Sequence, residues 1–155
     1  LALCTALALR QAGLPLPSSL VLISPWTDLS LSGPTISSKA DIDPMLTWAW
    51  LHRAAEAYRG DLPAEDARLS PLNAALDGLP PTLIQVGSDE ILLSDSQRFA
   101  ERALAQGLDV RLQVEDGLWH DFQMHAGVLE AADAAIQRIA AFVNETSPLS
   151  PMAIA

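Results

Sequence analysis

Residues 82–90 read Thr82-Leu-Ile-Gln-Val-Gly-Ser-Asp-Glu90, a short apolar run that ends at a glycine and continues into polar residues. A run of this length after a Pro pair predicts a strand of a parallel sheet. An amphipathic helix is predicted over 94–106, where Gly107 ends it, and a cleanly alternating strand over 110–114. The order strand, helix, strand indicates a right-handed crossover in a parallel sheet.

The same pattern extends toward the start of the chain. Residues 1–12 are rich in Ala and Leu and predict a helix that is buried on most of its surface and ends at Gly13. Residues 19–24 form a continuous apolar run between two prolines, which predicts a strand covered on both faces. The fold class is therefore α/β, with about three parallel strands and crossover helices.

Two irregular stretches separate the first two strands. Residues 26–43 are rich in Ser, Thr, Asp, Gly and Pro and predict a long loop, and residues 60–81 predict a second one. Between them, a helix is expected to begin at Pro44, with Asp43 as its cap, and to reach Tyr58.

A final helix is predicted over 126–144, followed by a flexible tail over 147–155. We therefore expect one domain over 1–146. The apolar residues expected along one side of the final helix are Val128, Leu129, Ala132, Ile136, Ile139 and Val143.

The composition excludes several classes of function. Half of the 155 residues are hydrophobic, so the chain has ample material for a core, and the formal net charge is −10. A strongly negative protein repels phosphate backbones and anionic headgroups, which argues against nucleic acid and acidic membranes as partners.

The longest apolar stretch near the start, 1–9, is too short to span a bilayer. Cys4 is the only cysteine, which is typical of a reducing compartment, so a cytoplasmic location is expected.

Two polar segments follow predicted strands and are the first candidates for chemistry. Asp89 follows the second strand, and His120 follows the third. In an open parallel sheet these positions meet at the carboxyl ends of the strands, where an Asp can orient a His for proton transfer. None of the eight glycines begins the nucleophile pattern G-x-S-x-G. From the residues alone, a turn-capping Asp and a hydrogen-bonded structural His are the more common explanation of such a pair.

Metal chemistry has little support. His120 and His125 are five residues apart, which is not the spacing of a zinc-binding helix, and no third ligand stands out. No metal and no cofactor are therefore expected.

Four stretches of the sequence form a recognisable set of motifs. They are residues 13–28 with Ser-Pro-Trp-Thr-Asp28, Ser70-Pro-Leu72, residues 78–95 with Gly-Leu-Pro-Pro-Thr and Gly-Ser-Asp-Glu, and Gly117-Leu-Trp-His-Asp-Phe122. In this order and spacing they resemble the hormone-sensitive-lipase-like branch of the α/β-hydrolases, the esterases grouped as the α/β-hydrolase-3 family. The resemblance covers the chain from residue 1 to about 142.

The resemblance implies roles for particular residues. Asp89 matches the acid of the family's D-x-L-x-D segment, although residues 90–93 depart from the common D-P-L-R form. His120 matches the general base, and Asp28 and Asp95 match positions that look structural. The family's nucleophilic Ser and its oxyanion motif would both fall before residue 1, so the chain is expected to be a C-terminal portion of the enzyme.

The resemblance also implies a partial cap insertion at about 30–60, which in the family lines the acyl pocket. Trp48, Trp50 and Leu51 could face substrate there, although aromatic residues at helical spacing are more often part of a core.

The implied activity is hydrolysis of a carboxylic ester or lactone by a Ser-Asp-His triad without a cofactor, and the chain by itself is expected to be inactive. A homodimer through the strand Val110 to Val114 is a further expectation from the family. One alternative is a ligand-binding module, although hormone receptors of this family have lost the His that is present here. The other alternative is a remnant module, which would expose Leu20 to Ile23 as an apolar sheet edge.

Overall fold

The structure, a computed structural model, describes residues 1–147. It contains three strands, five α-helices and two short 3₁₀ turns among these residues. The elements are α1 (Ala2–Gln11), β1 (Leu20–Ile23), α2 (Thr35–Ser38), α3 (Trp48–Arg59), a 3₁₀ turn (Pro71–Asn73), β2 (Thr82–Gly87), α4 (Leu93–Ala105), β3 (Val110–Glu115), a second 3₁₀ turn (Phe122–His125) and α5 (Glu130–Thr146).

The three strands form one parallel sheet in the order β1, β2, β3. Thr82 of β2 is paired with Leu20 on one side and with Val110 on the other, so the three strands start level and end at the same edge. This confirms the predicted parallel sheet. The common edge at the ends of the strands is called the carboxyl edge below.

Only the central strand is covered on both faces. All six residues of β2 are buried, whereas Val21 in β1 is half-buried and Ile23 is exposed. The expectation that β1 is covered on both faces is therefore wrong for this structure. Val21 and Ile23 are paired with Leu83 and Gln85 on the face that carries α5, and in the described part of the chain α5 packs against β2 and leaves this side of β1 open.

Helices cover both faces of the sheet. On one face α1 and α4 form the main core with the sheet, and this core contains Leu7, Leu22, Ile84, Phe99 and Val110. On the opposite face lies α5, where the Gln85 side chain donates a hydrogen bond to the Ala135 carbonyl. The side of α1 that turns away from the sheet is exposed, so this helix is less buried than its composition predicts.

The helix expected to begin at Pro44 begins four residues later, at Trp48. Thr47 is its N-cap, because its hydroxyl accepts the Trp50 backbone N–H at 3.2 Å. Asp43 does not cap this helix. Its carboxylate instead accepts the backbone N–H groups of Met45 and Leu46, which forms a separate turn before α3.

The last helix begins at Glu130 rather than at 126, because a 3₁₀ turn and Gly127, with φ at 84°, precede it. Its buried residues are Ala132, Ala135 and Phe142. Val128, Ile136 and Val143, which were expected on the inner side, are exposed, so the sheet-facing side of α5 consists mainly of small residues. Residues 148–155 of the predicted tail lie outside the described residues.

The segment around α2 and α3 packs against the carboxyl edge of the sheet. Ile36, Leu46 and Leu51 from this segment form a second core with Ile91 and Leu92, which follow β2. No helix among residues 1–147 is long and apolar enough to cross a membrane.

Candidate active site

The turn after β2 and the turn after β3 bring one carboxylate and one imidazole together at the carboxyl edge. Oε1 of Glu90 lies 3.6 Å from Nδ1 of His120. This distance is slightly longer than a hydrogen bond, and neither atom has another hydrogen-bond partner within residues 1–147. The Glu90 side chain is fully buried and the His120 side chain is 16% exposed. Catalytic hydrogen bonds are often long in the absence of substrate, so a separation of 3.6 Å is compatible with proton transfer chemistry.

The second oxygen of Glu90 is held by two donors. Oε2 accepts the Ser24 hydroxyl at 2.8 Å and the Gly87 backbone N–H at 3.2 Å. Hydrogen bonds to a carboxylate favour its charged form, which opposes the cost of burying it. The two donors also fix the rotation of the carboxylate, so that Oε1 remains directed at His120.

Asp89, the acid expected from the sequence, is placed elsewhere. Its side chain is 35% exposed, and Oδ1 lies 3.4 Å from the Lys39 ammonium and 3.1 Å from the Ser88 hydroxyl. The geometry therefore does not fit Asp89 as the group that orients His120. The next residue in the chain, Glu90, occupies that place.

The sequence contains a signal that distinguishes the two carboxylates. In the D-x-L pattern the Leu stands two positions after the acid, and Leu92 stands two positions after Glu90. The residue two positions after Asp89 is Ile91, which is not a Leu. Sequence reasoning missed Glu90 because residue type was given more weight than the spacing to this Leu.

The environment of His120 stabilises its protonated form. Burial lowers the pKa of His120, but the Glu90 carboxylate and the charges of Asp121 and Asp43 outweigh this effect, so that the pKa is raised above its usual value. Asp121 is close to the other ring nitrogen, with its Oδ2 3.4 Å from Nε2. An imidazole that must accept a proton during catalysis benefits from such neighbours.

Gly87, the last residue of β2, allows the turn before His120 to approach the sheet. A Cβ at this position would lie 2.1 Å from the Leu118 carbonyl oxygen and 2.9 Å from the Trp119 backbone nitrogen. Both are backbone atoms, so no side chain can move aside to make room. The absence of a side chain at Gly87 is therefore what places His120 next to the turn that carries Glu90.

Asp28 and Asp95 support the loop after β1, as expected from the sequence. Oδ2 of Asp95 accepts the backbone N–H groups of Thr27 at 2.8 Å and Asp28 at 2.9 Å, and burial raises the pKa of Asp95 to about 6. Burial also tends to raise the pKa of Asp28, but hydrogen bonds from Ser30, Ser32 and Arg98 outweigh it and lower that pKa. Neither carboxylate reaches His120 in the described part of the chain.

The side chains considered for substrate contact differ in their burial. Leu51 is fully buried in the second core, whereas Trp48 is 52% and Trp50 59% exposed. Trp48 stacks on His52, with ring centroids 4.8 Å apart. Neither Trp is a core residue in residues 1–147, contrary to the more common role of helical aromatics.

An apolar cavity of about 450 Å³ lies beside His120. Its walls include side chains from the segment before α3 and from the turn after β3, and their apolar character suits a hydrocarbon group rather than a charged one. The cavity is lined by Pro44, Met45, Trp119, Asp121, Met124 and His125.

Among residues 1–147, no group of three His, Cys, Asp or Glu could hold a metal ion.

Comparisons with known proteins identify the family and the fold of the chain. The family model described as alpha/beta hydrolase fold matches residues 1–124. The chain is 41% identical to an esterase from Acinetobacter venetianus and 36% identical to an acetyl-hydrolase from Streptomyces hygroscopicus, covering 93% of this chain and 48% of each relative. A solved esterase of the bacterial hormone-sensitive lipase family superposes with a TM-score of 0.91 at 37% identity, over 93% of this chain and 48% of that chain. The chain thus spans about half the length of these relatives.

Proposed function

The chain belongs to the alpha/beta hydrolase fold family, among relatives named esterases and acetyl-hydrolases, and from this premise we propose that it carries the acid and the base of a serine esterase. The observation that supports the proposal is the buried carboxylate of Glu90, 3.6 Å from Nδ1 of His120 at the carboxyl edge of the sheet. In open α/β sheets this edge is where ligands bind.

The proposed mechanism assigns one task to each group. His120 accepts the proton of a serine hydroxyl at Nε2 as the serine oxygen attacks the acyl carbon, and it then donates that proton to the departing alcohol oxygen. Glu90 keeps the proton of the neutral ring on Nδ1 and stabilises the imidazolium formed between the two steps. In the second half of the reaction, water replaces the serine oxygen on the acyl carbon with the same proton transfers. The acid of the triad in this proposal is Glu90 rather than Asp89.

The nucleophile is proposed to lie upstream of Leu1, together with the donors that stabilise the oxyanion. His120 has carboxylates as its charged neighbours and no hydrogen bond to a serine within residues 1–147. Residues 1–146 would then form the C-terminal portion of the hydrolase domain, with a cap insertion at about 30–60.

The proposed substrate is a carboxylic ester or lactone with an uncharged group next to the reacting carbonyl. The apolar cavity lined by the chain neighbours of His120 supports this choice, because Met45, Trp119 and Met124 give most of its wall an apolar character. One relative is named an acetyl-hydrolase, so an acetyl ester is the first substrate to test. The proposed reaction needs no cofactor.

The cellular location and the oligomeric state are each proposed from a single observation. A single cysteine supports a cytoplasmic location, since a reducing compartment requires no disulfides. A homodimer through β3 is supported by the position of this strand at the side of the sheet, with no strand beyond it among residues 1–147.

The test compares two adjacent carboxylates in the native full-length protein. Glu90→Gln is expected to lower kcat for p-nitrophenyl acetate by about 100-fold or more, because the imidazolium loses its buried anion. Asp89→Asn, the matched control one residue away, is expected to change kcat by less than about threefold, as its charge lies at a partly exposed ion pair. His120→Ala provides the inactive baseline, and circular dichroism checks that each variant is folded.

Two results would overturn parts of this proposal. Loss of activity in Asp89→Asn with retention in Glu90→Gln would return the role of the acid to Asp89. A wild-type protein that hydrolyses no ester and takes no fluorophosphonate label on a serine would rule out the esterase.

A further inference from the structure

We propose that Ser24 is a positioning residue that fixes the distance between the acid and the base of the site. It is the first residue after β1, and its side chain bridges the turn that carries Glu90 and the turn that carries His120. The inference rests on the proposed function for its catalytic meaning, but the bridge is a property of the structure that can be measured without activity.

The bridge consists of two hydrogen bonds made by one hydroxyl. Ser24 Oγ donates to Oε2 of Glu90 at 2.8 Å and accepts the backbone N–H of Asp121 at 3.2 Å. A hydroxyl has one proton to donate and two lone pairs to accept, so both bonds form at the same time. Since Asp121 directly follows His120, the same oxygen holds the carboxylate on one side and the imidazole-bearing turn on the other.

Ser24 is itself fixed by the sheet. Its backbone N–H donates to the Gln85 carbonyl of β2 at 2.8 Å, and only 3% of the residue is exposed. The hydroxyl therefore projects from a rigid point between the ends of β1 and β2. A contact made from such a point can hold two turns at a set separation, whereas a contact from a free loop would follow their movement.

The backbone of Ser24 supports a specific role for this side chain. Its φ is 42°, in the left-handed region where a residue with a Cβ is strained by roughly 1 kcal/mol and glycine is not. Asp121, its partner in the bridge, also has a positive φ of 54°. Strained residues persist where the surrounding structure holds them, and they cluster at functional sites. A glycine would fit this backbone better, but it would lack the hydroxyl that joins the two turns.

Loss of the Ser24 hydroxyl is expected to loosen the contact between Glu90 and His120. Oε2 of Glu90 would retain only the Gly87 N–H, so the carboxylate could rotate away from Nδ1 of His120. The Asp121 N–H would lose its acceptor, which loosens the turn on the other side. Both changes lengthen the distance between Oε1 and Nδ1, which is already 3.6 Å.

Two variants separate the role of the hydroxyl from that of the backbone. Ser24→Ala and Ser24→Gly both remove the hydroxyl, but only Ser24→Gly also relieves the strained φ, so Ser24→Gly is expected to be the more stable of the two. The control is Ser96→Ala. Ser96 is also a fully buried serine, and its hydroxyl has no hydrogen-bond partner within residues 1–147.

The first measurement is the kinetics of ester hydrolysis by the native full-length protein. We expect kcat to fall by about 10- to 100-fold in both Ser24 variants, with little change in KM, since misplacement of catalytic groups reduces the rate of the chemical step. The acidic limb of the pH profile of kcat/KM is expected to move to lower pH, because the pKa of His120 falls when its anion moves away. Ser96→Ala is expected to retain the wild-type values.

The second measurement does not depend on activity. The proton on Nδ1 of His120 gives a far-downfield NMR signal when it faces a buried carboxylate, and the ring titration follows from the ¹⁵N shifts of His120. Both Ser24 variants should lose or shift this signal, while Ser96→Ala should retain it. If the wild-type protein hydrolyses no ester but the signal responds in this way, the esterase proposal fails and the positioning role stands.

The positioning role is overturned if the Nδ1 signal and the His120 titration are unchanged in both Ser24 variants. It is also overturned if activity falls only in Ser24→Ala, in step with its stability, while Ser24→Gly is as active as the wild type. In that case Ser24 would act on the stability of the backbone alone.

Discussion

Asp95 shows how burial changes a single carboxyl group. It is fully buried, and although two backbone N–H groups donate to it, burial raises its pKa to about 6. The folded protein therefore binds this proton more tightly than the unfolded chain, whose Asp has a pKa near 3.9. It follows that this group stabilises the fold below pH 4 and that its contribution is lost as the pH rises from about 4 to 6.

The prediction for Asp95 concerns its replacement by Asn, which has no charge to bury. Between pH 4 and 7, the free energy of unfolding of Asp95→Asn is expected to rise relative to the wild type by up to roughly 3 kcal/mol. Denaturant unfolding of the full-length proteins at several pH values measures this difference, in which the titration of His120 cancels, while the lowered pKa of Asp28 keeps its titration below this pH range. Asp61→Asn, at an exposed position, is the control and should run parallel to the wild type. Parallel curves for Asp95→Asn would contradict the prediction.

At the residue scale, the sequence predicts the position of His120 but not which carboxylate lies next to it. His120 was predicted from its place after the third strand, and it does lie at the carboxyl edge. Asp89 was predicted as the acid, whereas the carboxylate that lies next to His120 in the structure is Glu90, and the chain direction after Gly87 decides which of the two points inward. The close approach of Gly87 to Leu118, 31 positions later, helps to set that direction, and in the sequence only the spacing from Glu90 to Leu92 indicates it.

At the scale of elements, Asp43 joins the segment before α3 to the turn after β2. Oδ1 accepts the N–H groups of Met45 and Leu46, and Oδ2 accepts the N–H of Ile91 at 2.9 Å. Ile91 directly follows Glu90. One carboxylate thus links the cap-like segment, which helps to line the apolar cavity, to the residue that carries the proposed acid.

Removal of this link should be visible in amide exchange. In Asp43→Ala the amides of Leu46 and Ile91 are expected to exchange about tenfold faster or more, because a hydrogen bond to a charged acceptor contributes roughly 1.5–3 kcal/mol. Asp41→Ala removes an exposed carboxylate two residues away and is expected to leave both rates unchanged. Equal exchange rates in Asp43→Ala and the wild type would show that other contacts hold the two segments together.

Asp43 also explains why the start of α3 was predicted wrongly. Asp43-Pro44 is a typical start of a helix, yet α3 begins at Trp48. Oδ1 of Asp43 does accept the N–H groups of Met45 and Leu46, as a cap would, but Oδ2 ties this turn to Ile91, 48 positions away, and the helix begins only after the next cap, Thr47. The strands and α4 were predicted to within one or two residues because their apolar patterns coincide with burial in the finished core.

At the scale of the whole molecule, the described part of the chain holds an acid and a base with no serine hydrogen-bonded to the imidazole. The 155-residue chain alone is therefore predicted to hydrolyse p-nitrophenyl acetate no faster than its own His120→Ala variant. Under the proposed function, the native full-length protein should exceed that baseline by at least about 1,000-fold, since it would supply the proposed serine and oxyanion donors. Turnover by the isolated chain that depends on His120 would place a nucleophile within these residues.

The close approach at Gly87 determines how this protein would respond to random mutagenesis. Every substitution adds a Cβ only 2.1 Å from a backbone oxygen of the turn before His120, so every substitution moves the base away from the acid. In a selection for activity, position 87 would tolerate a single amino acid, as strictly as the positions of Glu90 and His120. A survey of tolerated substitutions would then group Gly87 with Glu90 and His120, although Gly87 brings no side chain to the site.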